Sequence, residues 1–509
     1  MKTRIAMNSR LCAIGALMAS TMLLAATPAF AAQSVVVSGF EGTDLRDNIT
    51  VGGGFIPPDT MGAIGTTQYV SILNGSFSVF NRFTGARTLF QSDQTFYQNA
   101  GATLFGNSYS GGDPRVMFNA AAQRWIATGF GGDRSFLNIA VSDTSDATGP
   151  WKATTFLGFN GAAGNGVADY ATLALDTKAV YIGTNDFDNP GGFVGTTLHV
   201  IPLGDVFKAN LSAPTVTNRA QFVTTTAGPD RGFAIQGVNS TNASAPGKVV
   251  ADSRVLDDNV AYNINNPELG NAGATQGAIN VLGVPYICCY NGRQPDGTRN
   301  LDTLGSRVSA SAYEHNGRIY YVSGAASAPV GGDQLVRIKV LDAVTFAVLQ
   351  QLDVTTAGFD TFQGSIAVTE FGAVVGYNRS GPNAADGNIA FFANAYTLDA
   401  NGLLVFDASH LLKYSTNPSY QLLGGGRNRW GDYSSVTIDP NNRRNFWAIG
   451  EYANFRNAAL GDGWATYIAQ ITINNAVPEP STWLMMILGF GMVGGALRRS
   501  KQVARITYA

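Results

Sequence analysis

The chain is short of charge, cysteine and histidine. Only 13% of its 509 residues are Asp, Glu, Lys or Arg, about half the usual quarter. A hydrophobic share of 45% with so little charge excludes a disordered chain, which is poor in apolar residues and rich in charge. Long stretches of helical periodicity are missing, which excludes a coiled coil. Glycine does not recur at every third place, which excludes a collagen. Three cysteines leave no disulfide framework, and Cys12 falls in the leader described below. Cys288 and Cys289 are adjacent, so they are two thiols or one strained local bridge. His199, His315 and His410 are far apart in sequence and give no zinc spacing. No G-x-S-x-G elbow accompanies them.

Glycine is what the chain has in plenty, with 60 residues, roughly one in eight against a usual one in fourteen. Short apolar runs alternate with turns: Tyr69-Val70-Ser71-Ile72-Leu73, Trp125-Ile126-Ala127-Thr128, Val180-Tyr181-Ile182-Gly183 and Ile319-Tyr320-Tyr321-Val322. Each is rich in β-branched and aromatic residues and bounded by Gly, Asn or Asp, as strands are. Only Val206 to Leu211 and Ala408 to Tyr414 read as short helical turns.

The strands repeat. Asp113-Pro114-Arg115-Val116-Met117-Phe118-Asn119 is followed, after a turn, by Arg124-Trp125-Ile126-Ala127-Thr128. The same strand–turn–strand pattern begins at Asp169 and Asp432, and in weaker form at Asp59, Arg307 and Gln363. The wide gap between 169 and 307 has room for one more copy, begun by Gly232-Phe233-Ala234-Ile235 with an insertion after it. Small residues followed by a bulkier strand describe the inner hairpin of a propeller blade. The body, residues 33–474, is therefore expected to be an all-β propeller of about seven four-stranded blades; six or eight would also fit the length, and a pair of β-sandwiches is the competing architecture. Trp464 to Ile471 is expected to pair with the N-terminal Ser34-Val35-Val36-Val37 and close the ring.

The two ends carry an address. Residues 1–31 read as a Sec signal peptide: Lys2, Arg4 and Arg10, then an apolar stretch, then Ala29-Phe30-Ala31 with small residues at the cleavage site. Residues 475–509 have three parts: Val477-Pro478-Glu479-Pro480-Ser481-Thr482-Trp483, an apolar run to Leu497, and Arg498, Arg499 and Lys501. The run from Trp483 to Leu497 would make a helix of about 22 Å, short for a permanent span. The basic residues beyond it set a cytoplasmic end.

This tail resembles a PEP-CTERM sorting signal. The resemblance implies export through the Sec translocon, transient inner-membrane anchoring by the C-terminal helix, and processing near Pro478-Glu479-Pro480 by an exosortase. It further implies a Gram-negative producer and a cell-surface or extracellular-matrix setting of exopolysaccharide and biofilm. The body's repeats resemble sialidase-like bacterial propellers, and Ser145-Asp146-Ala147-Thr148-Gly149-Pro150-Trp151 resembles a degenerate Asp-box turn.

The two ends hold seven of the 33 basic residues and one of the 35 acidic ones, so the net charge moves from −2 for the chain to about −8 for the body. An acidic body argues against nucleic acid and anionic membranes as partners. It is compatible with Ca²⁺, whose ligands are carboxylate and carbonyl oxygens. Asp59, Asp113, Asp169 and Asp432 share a place at the head of the innermost strand, where a propeller's channel opens. Like charges gathered there need a cation, and Arg115 and Arg307 are the neutralisers the sequence offers. The alternatives are a sugar or Ca²⁺ site, with Asp113, Asp169 and Asp432 as metal ligands, or four turns each capped by its own Asp. The expected function is non-catalytic binding, of polysaccharide above all. The competing reading is a polysaccharide hydrolase or lyase, for which Tyr170, Tyr433 and Glu451 would join the arginines. Trp125, Phe446 and Trp447 read as core.

Overall fold

The computed structural model describes residues 34–103, 111–189, 191–208, 213–283, 290–423, 428–457, 459, 461–474, 487–495 and 498. The expectations for the signal peptide, the Pro478-Glu479-Pro480 segment and Cys288 and Cys289 lie outside these residues. Two units separate: Ser34–Ile473, and the two termini together. In the latter, residues 487–495 and 498 are helical. Among the described residues no helix is long and apolar enough to cross a membrane.

Ser34–Ile473 is a seven-bladed β-propeller. The inner hairpins predicted from the repeat become the first two strands of successive antiparallel sheets. Blade 1 runs Met61–Ile64, Gln68–Leu73, Ser76–Asn81 and Arg87–Gln91; blade 2 runs Arg115–Asn119, Arg124–Gly131, Phe136–Ser142 and Trp151–Leu157. In blade 3 a broken inner strand, Gly166–Asp169 and Ala174–Leu175, precedes Ala179–Asp188, Phe193–Pro202 and Ala220–Thr225. Blade 4 runs Phe233–Gly237, Gly247–Asp252 and Asn259–Asn265, with two short outer pieces, Thr275–Gln276 and Asn280–Val281. Blade 5 is Val308–His315, Arg318–Ala326, Gln334–Asp342 and Val348–Val354; blade 6 is Asp360–Thr369, Gly372–Ser380, Ala390–Leu398 and Leu404–Tyr414. Blade 7 takes Ser435–Ile438, Asn445–Asn457 and Gly461–Ile473 from the end of the body and Ser34–Asp44 from its start. That N-terminal strand pairs antiparallel with the third, Ser34 opposite Ile473, and closes the ring as the sequence suggested.

Each strand has two faces because successive side chains point opposite ways, and in a propeller both faces meet a neighbouring blade. The core is accordingly divided into one apolar cluster per junction. Trp125 joins the cluster between blades 1 and 2, and its chain neighbour Ile126 the one between blades 2 and 3. Tyr320 and Tyr321 divide in the same way between blades 5 and 6 and blades 4 and 5. Phe446 and Trp447 lie in the clusters between blades 6 and 7 and blades 7 and 1, core residues as expected.

The innermost strands are short and small because seven of them converge. A Cβ on Gly237 would lie 2.6 Å from Cβ of Tyr181, which belongs to the blade before it. Hydrogen bonds stitch the inner strands around the ring: Arg115 Nε to Ala171 O (2.9 Å), Thr172 Oγ1 to Ile235 O (2.7 Å), Asn239 N to Ala312 O (2.8 Å), Ser311 Oγ to Ile366 O (2.7 Å), Ser434 Oγ to Gln363 O (2.7 Å) and Ser435 Oγ to Gly62 O (2.8 Å).

The helical reading of Ala408 to Tyr414 is corrected. These residues end the outer strand Leu404–Tyr414, with His410 opposite Ala393. At Val206 only one turn forms, over Leu203–Val206, and residues 209–212 lie outside those described. Two connections build up one side of the channel mouth. Leu301–Asp302, before blade 5, pairs in parallel with Asn428–Arg429, before blade 7.

Candidate functional site at the channel mouth

The heads of the inner strands in blades 1, 2, 3 and 7 bring Asp59, Asp113, Asp169 and Asp432 to one cavity of about 380 Å³. Arg307 lines the same cavity, as do Arg429, Arg134, Asn74, Phe55 and Phe130. Asp59 and Asp113 have φ of 48° and 43°, in the left-handed region that non-glycine residues seldom adopt. The turn is held by bonds between blades. Asp59 Oδ1 accepts the N–H of Asp432 at 2.9 Å, and Asp59 Oδ2 accepts Asn74 Nδ2 at 2.7 Å. Asn74 Oδ1 in turn accepts the N–H of Asp113 at 2.9 Å, and Asp113 Oδ2 accepts the N–H of Tyr170 at 2.9 Å. An arc of hydrogen bonds thus runs from blade 7 through blades 1 and 2 to blade 3. Asp59 and Asp113 do not cap their own turns; each carboxyl holds the inner strand of a neighbouring blade.

The charges settle unequally. Burial, with the charges of Asp432 and Asp113 added, pushes the Asp59 carboxyl well above the usual carboxylate range. Burial beside Asp169 and Asp432 pushes Asp113 up to about 8. Asp169 is raised by burial and Asp432, and held back by Arg307 and a hydrogen bond with Asp113. Asp432 is ion-paired twice, with Arg429 Nη2 at 2.6 Å and Arg307 Nη1 at 3.4 Å. At neutral pH Asp113 holds its proton, and Asp169 and Asp432 face Arg307 and Arg429. The mouth therefore offers a carboxyl donor, carboxylate acceptors and guanidinium donors, with arginines set against its aspartates. Among the described residues no group of three or more His, Cys, Asp or Glu side chains is arranged to hold a metal ion.

Arg307 is the neutraliser the sequence named, but Arg115 is not. Arg115 lies below the mouth, buried, with its guanidinium carbon 3.5 Å from the ring centroid of Tyr433 and 5.3 Å from that of Tyr170. The channel is thus filled by an arginine and two tyrosines as well as by small residues. Both tyrosine hydroxyls are raised by burial, and neither ring is placed as an exposed nucleophile. Glu451, in the second strand of blade 7, is buried, accepts Thr60 Oγ1 at 2.8 Å, and does not line the cavity. Arg429 escaped the sequence reading because it precedes the repeated hairpin. Its spacing of three from Asp432 was the available signal.

The three histidines stay apart. His199 is buried, its ring nitrogen 3.0 Å from Gly158 O. His315 is partly buried in blade 5. His410 meets a serine and an aspartate, but Ser34 Oγ touches both Asp407 Oδ2 (2.5 Å) and His410 Nε2 (2.9 Å), so the acid holds the hydroxyl instead of orienting the imidazole. In the Asp-box-like turn, Asp146 Oδ1 accepts the N–H and hydroxyl of Thr148 and Gln68 Nε2, and Trp151 Nε1 donates to Ala147 O.

The model of the PEP-CTERM protein-sorting motif matches residues 476–500. No curated protein matches the chain. Solved structures with similarity include a bifunctional GH43-CE protein of Bacteroides eggerthii (12% identity, TM-score 0.33, 62% of this chain and 37% of that one). They also include an α-L-arabinofuranosidase from Lactobacillus brevis (12%, 0.33, 73% and 93%) and a Trypanosoma rangeli sialidase in complex with 2,3-difluorosialic acid (10%, 0.35, 74% and 56%). The chain thus spans about 37% of the first, 56% of the third and 93% of the second. At these values the likeness carries no site residue across, and the propeller stands on the chain's own strand pairing.

Proposed function

We propose that this chain, whose C-terminal sorting motif implies export and processing by an exosortase, is a surface or matrix protein that binds polysaccharide at the propeller mouth without cleaving it. The observation that carries the reading is the composition of the 380 Å³ cavity: the protonated carboxyl of Asp113, carboxylates set against guanidinium groups, and the rings of Phe55 and Phe130. Hydroxyl-rich rings match such walls, since each hydroxyl both donates and accepts and the ring faces are apolar. Exopolysaccharide of the producing cell is the ligand class that fits an exported protein of this kind. Titration calorimetry against that polysaccharide is expected to show saturable binding, weakened by Arg429→Ala and by Asp169→Ala. No binding by the wild-type protein would refute the reading.

One observation favours hydrolysis as a second reading. Asp113 holds a proton at neutral pH and is hydrogen-bonded to Asp169, the arrangement of an acid beside a base. Reducing-sugar release that disappears in Asp113→Ala and Asp169→Ala would replace binding by catalysis. Ca²⁺ at Asp113, Asp169 and Asp432, which are not arranged as a metal site, would have to draw them together and displace the proton of Asp113, and so would bind better as pH rises. An unfolding midpoint unmoved by chelator at pH 7 and pH 9 would remove the ion. For the tail, mass spectrometry of the mature protein is expected to find nothing beyond Pro480, and intact tails in the secreted fraction would refute processing.

A further inference from the structure

A second constellation of chemistry lies away from the mouth, between blades 4 and 5. Lys339 is wholly buried, as are Asn259 and Tyr321, and Asp252 is 2% exposed. Lysine is almost never found so deep. The strand register explains how the four meet. Asp252 ends the second strand of blade 4 and stands opposite Asn259, which begins the third. Tyr321 and Lys339 stand opposite one another in the second and third strands of blade 5. The two cross-strand pairs face each other across the junction, beside the apolar cluster of Val250, Ala261, Ile319 and Leu341.

The contacts converge on one amide. Lys339 Nζ donates to Asn259 Oδ1 in a close contact, and Tyr321 Oη donates to the same oxygen at 3.0 Å. Asn259 Nδ2 donates to Asp252 Oδ1 at 2.5 Å. The carbonyl oxygen is therefore polarised by two donors, one of them the lysine amine, and the amide nitrogen rests on a carboxyl group. Burial lowers Lys339 to about 8, against the opposing charges of Asp252 and Asp258. Burial raises Asp252 to about 8, against Lys339. Lys339 and Asp252 meet on opposite sides of the Asn259 amide, and a desolvated neutral lysine is a nucleophile.

We propose that Lys339 and Asn259 react to form an intramolecular amide crosslink between blades 4 and 5, with Asp252 transferring the protons and Tyr321 stabilising the oxyanion. The reactive form carries a neutral Nζ amine and a protonated Asp252. The amine attacks Cγ of Asn259, forming the Nζ–Cγ bond and placing negative charge on Oδ1, where Tyr321 donates. Asp252 protonates Nδ2 and takes a proton from Nζ. The Cγ–Nδ2 bond breaks and ammonia leaves. The products are a secondary amide, ammonia and a protonated Asp252, so atoms and charge balance without any oxidant or cofactor. The bond replaces a buried cation by a neutral group, which removes the cost of keeping that charge out of water. A covalent tie across one junction would also hold the ring closed outside the cell.

Peptide mapping of the full exported chain by mass spectrometry, after denaturation and proteolysis, tests this. A linked peptide pair containing Lys339 and Asn259, lighter than the sum of its two peptides by one ammonia, is the expected product. Recovery of both peptides unlinked from the folded wild-type protein would overturn the proposal. In Asp252→Asn, shown by circular dichroism to keep its β structure, the linked pair is expected to disappear. An undiminished linked pair in that variant would remove Asp252 from the chemistry. Should the variant fail to fold, the wild-type map alone decides whether the bond exists.

Discussion

Arg115 of blade 2 lies over the ring of Tyr433 of blade 7, its guanidinium carbon 3.5 Å from the ring centroid, so two blades that are not neighbours meet near the axis. Tyr433 Oη also donates to Pro114 O at 3.3 Å, and its ring meets that of Tyr170 edge-on. A guanidinium this deep depends on the ring's negative face. Tyr433→Leu is expected to destabilise the propeller by about 2 kcal/mol or more. Tyr433→Phe, which keeps the face and loses one hydrogen bond, should cost about 1 kcal/mol. Urea unfolding midpoints of the two variants check the order, and equal losses would show that the stacking contributes nothing.

The junction between blades 7 and 1 is held by a buried ion pair. Arg82 grips Asp439 through both nitrogens, one of them at 3.0 Å, and Asp439 also accepts Trp447 Nε1 at 3.3 Å. Removing one member strands the other, so Arg82→Met is expected to cost about 3–5 kcal/mol. Replacing both, as Arg82→Met with Asp439→Leu, should recover part of that loss, because the stranded carboxylate goes too. A double-mutant cycle by thermal unfolding gives the coupling, and simple additivity would deny it.

The carboxyls at the mouth make stability fall as pH rises. Asp113 has a folded pKa of about 8, above its unfolded value near 3.9, so the folded state binds the extra proton between these limits. Its contribution is present in full below about pH 4 and is lost by about pH 8. Asp113→Asn imitates the protonated carboxyl and can still accept the N–H of Tyr170. The variant is expected to match the wild type at pH 4 and to exceed it in unfolding temperature at pH 8. Parallel curves for the two proteins across that range would refute the shift.

The positions of the blades were legible because a propeller repeats one requirement seven times. Every inner strand must be small and must start from a tight turn, so Asp59, Asp113, Asp169, Gly232, Arg307, Gln363 and Asp432 mark the blades they were expected to mark. The mouth was half legible. That the four aspartates share a place followed from the repeat, but Arg429 and Asn74 lie outside it and reach the site through connections the repeat does not govern. The outer strand was misread at Ala408 to Tyr414. An edge strand half open to solvent carries register shifts that blur its alternation, one of them opposite Leu411, and Leu, Ala and Lys then resemble a helical turn. Arg115 was assigned to the carboxylates because sequence gives its blade and not its depth.

Closure of the ring limits where a leader could be cut. Ser34 begins the strand that completes blade 7, and its N–H and hydroxyl both donate to Asp407 Oδ2 of blade 6, at 2.8 and 2.5 Å. His410 Nε2 is 2.9 Å from the same hydroxyl, and burial lowers its pKa despite the charge of Asp407. A cut after Ala31 leaves this joint intact, whereas a cut beyond Ser34 would destroy it. Losing the hydroxyl alone, in Ser34→Ala, should cost about 1 kcal/mol. Losing the whole strand through Asp44 would expose the edge of Gly461–Ile473 and withdraw Phe40 from the cluster between blades 7 and 1. Unpaired edges of this kind invite aggregation. N-terminal sequencing of the exported protein is expected to read Ala32 first, and a chain starting at Asp47 is expected to unfold at a much lower temperature or to precipitate. If that shortened chain kept the wild-type midpoint, the N-terminal strand would not be what closes the ring.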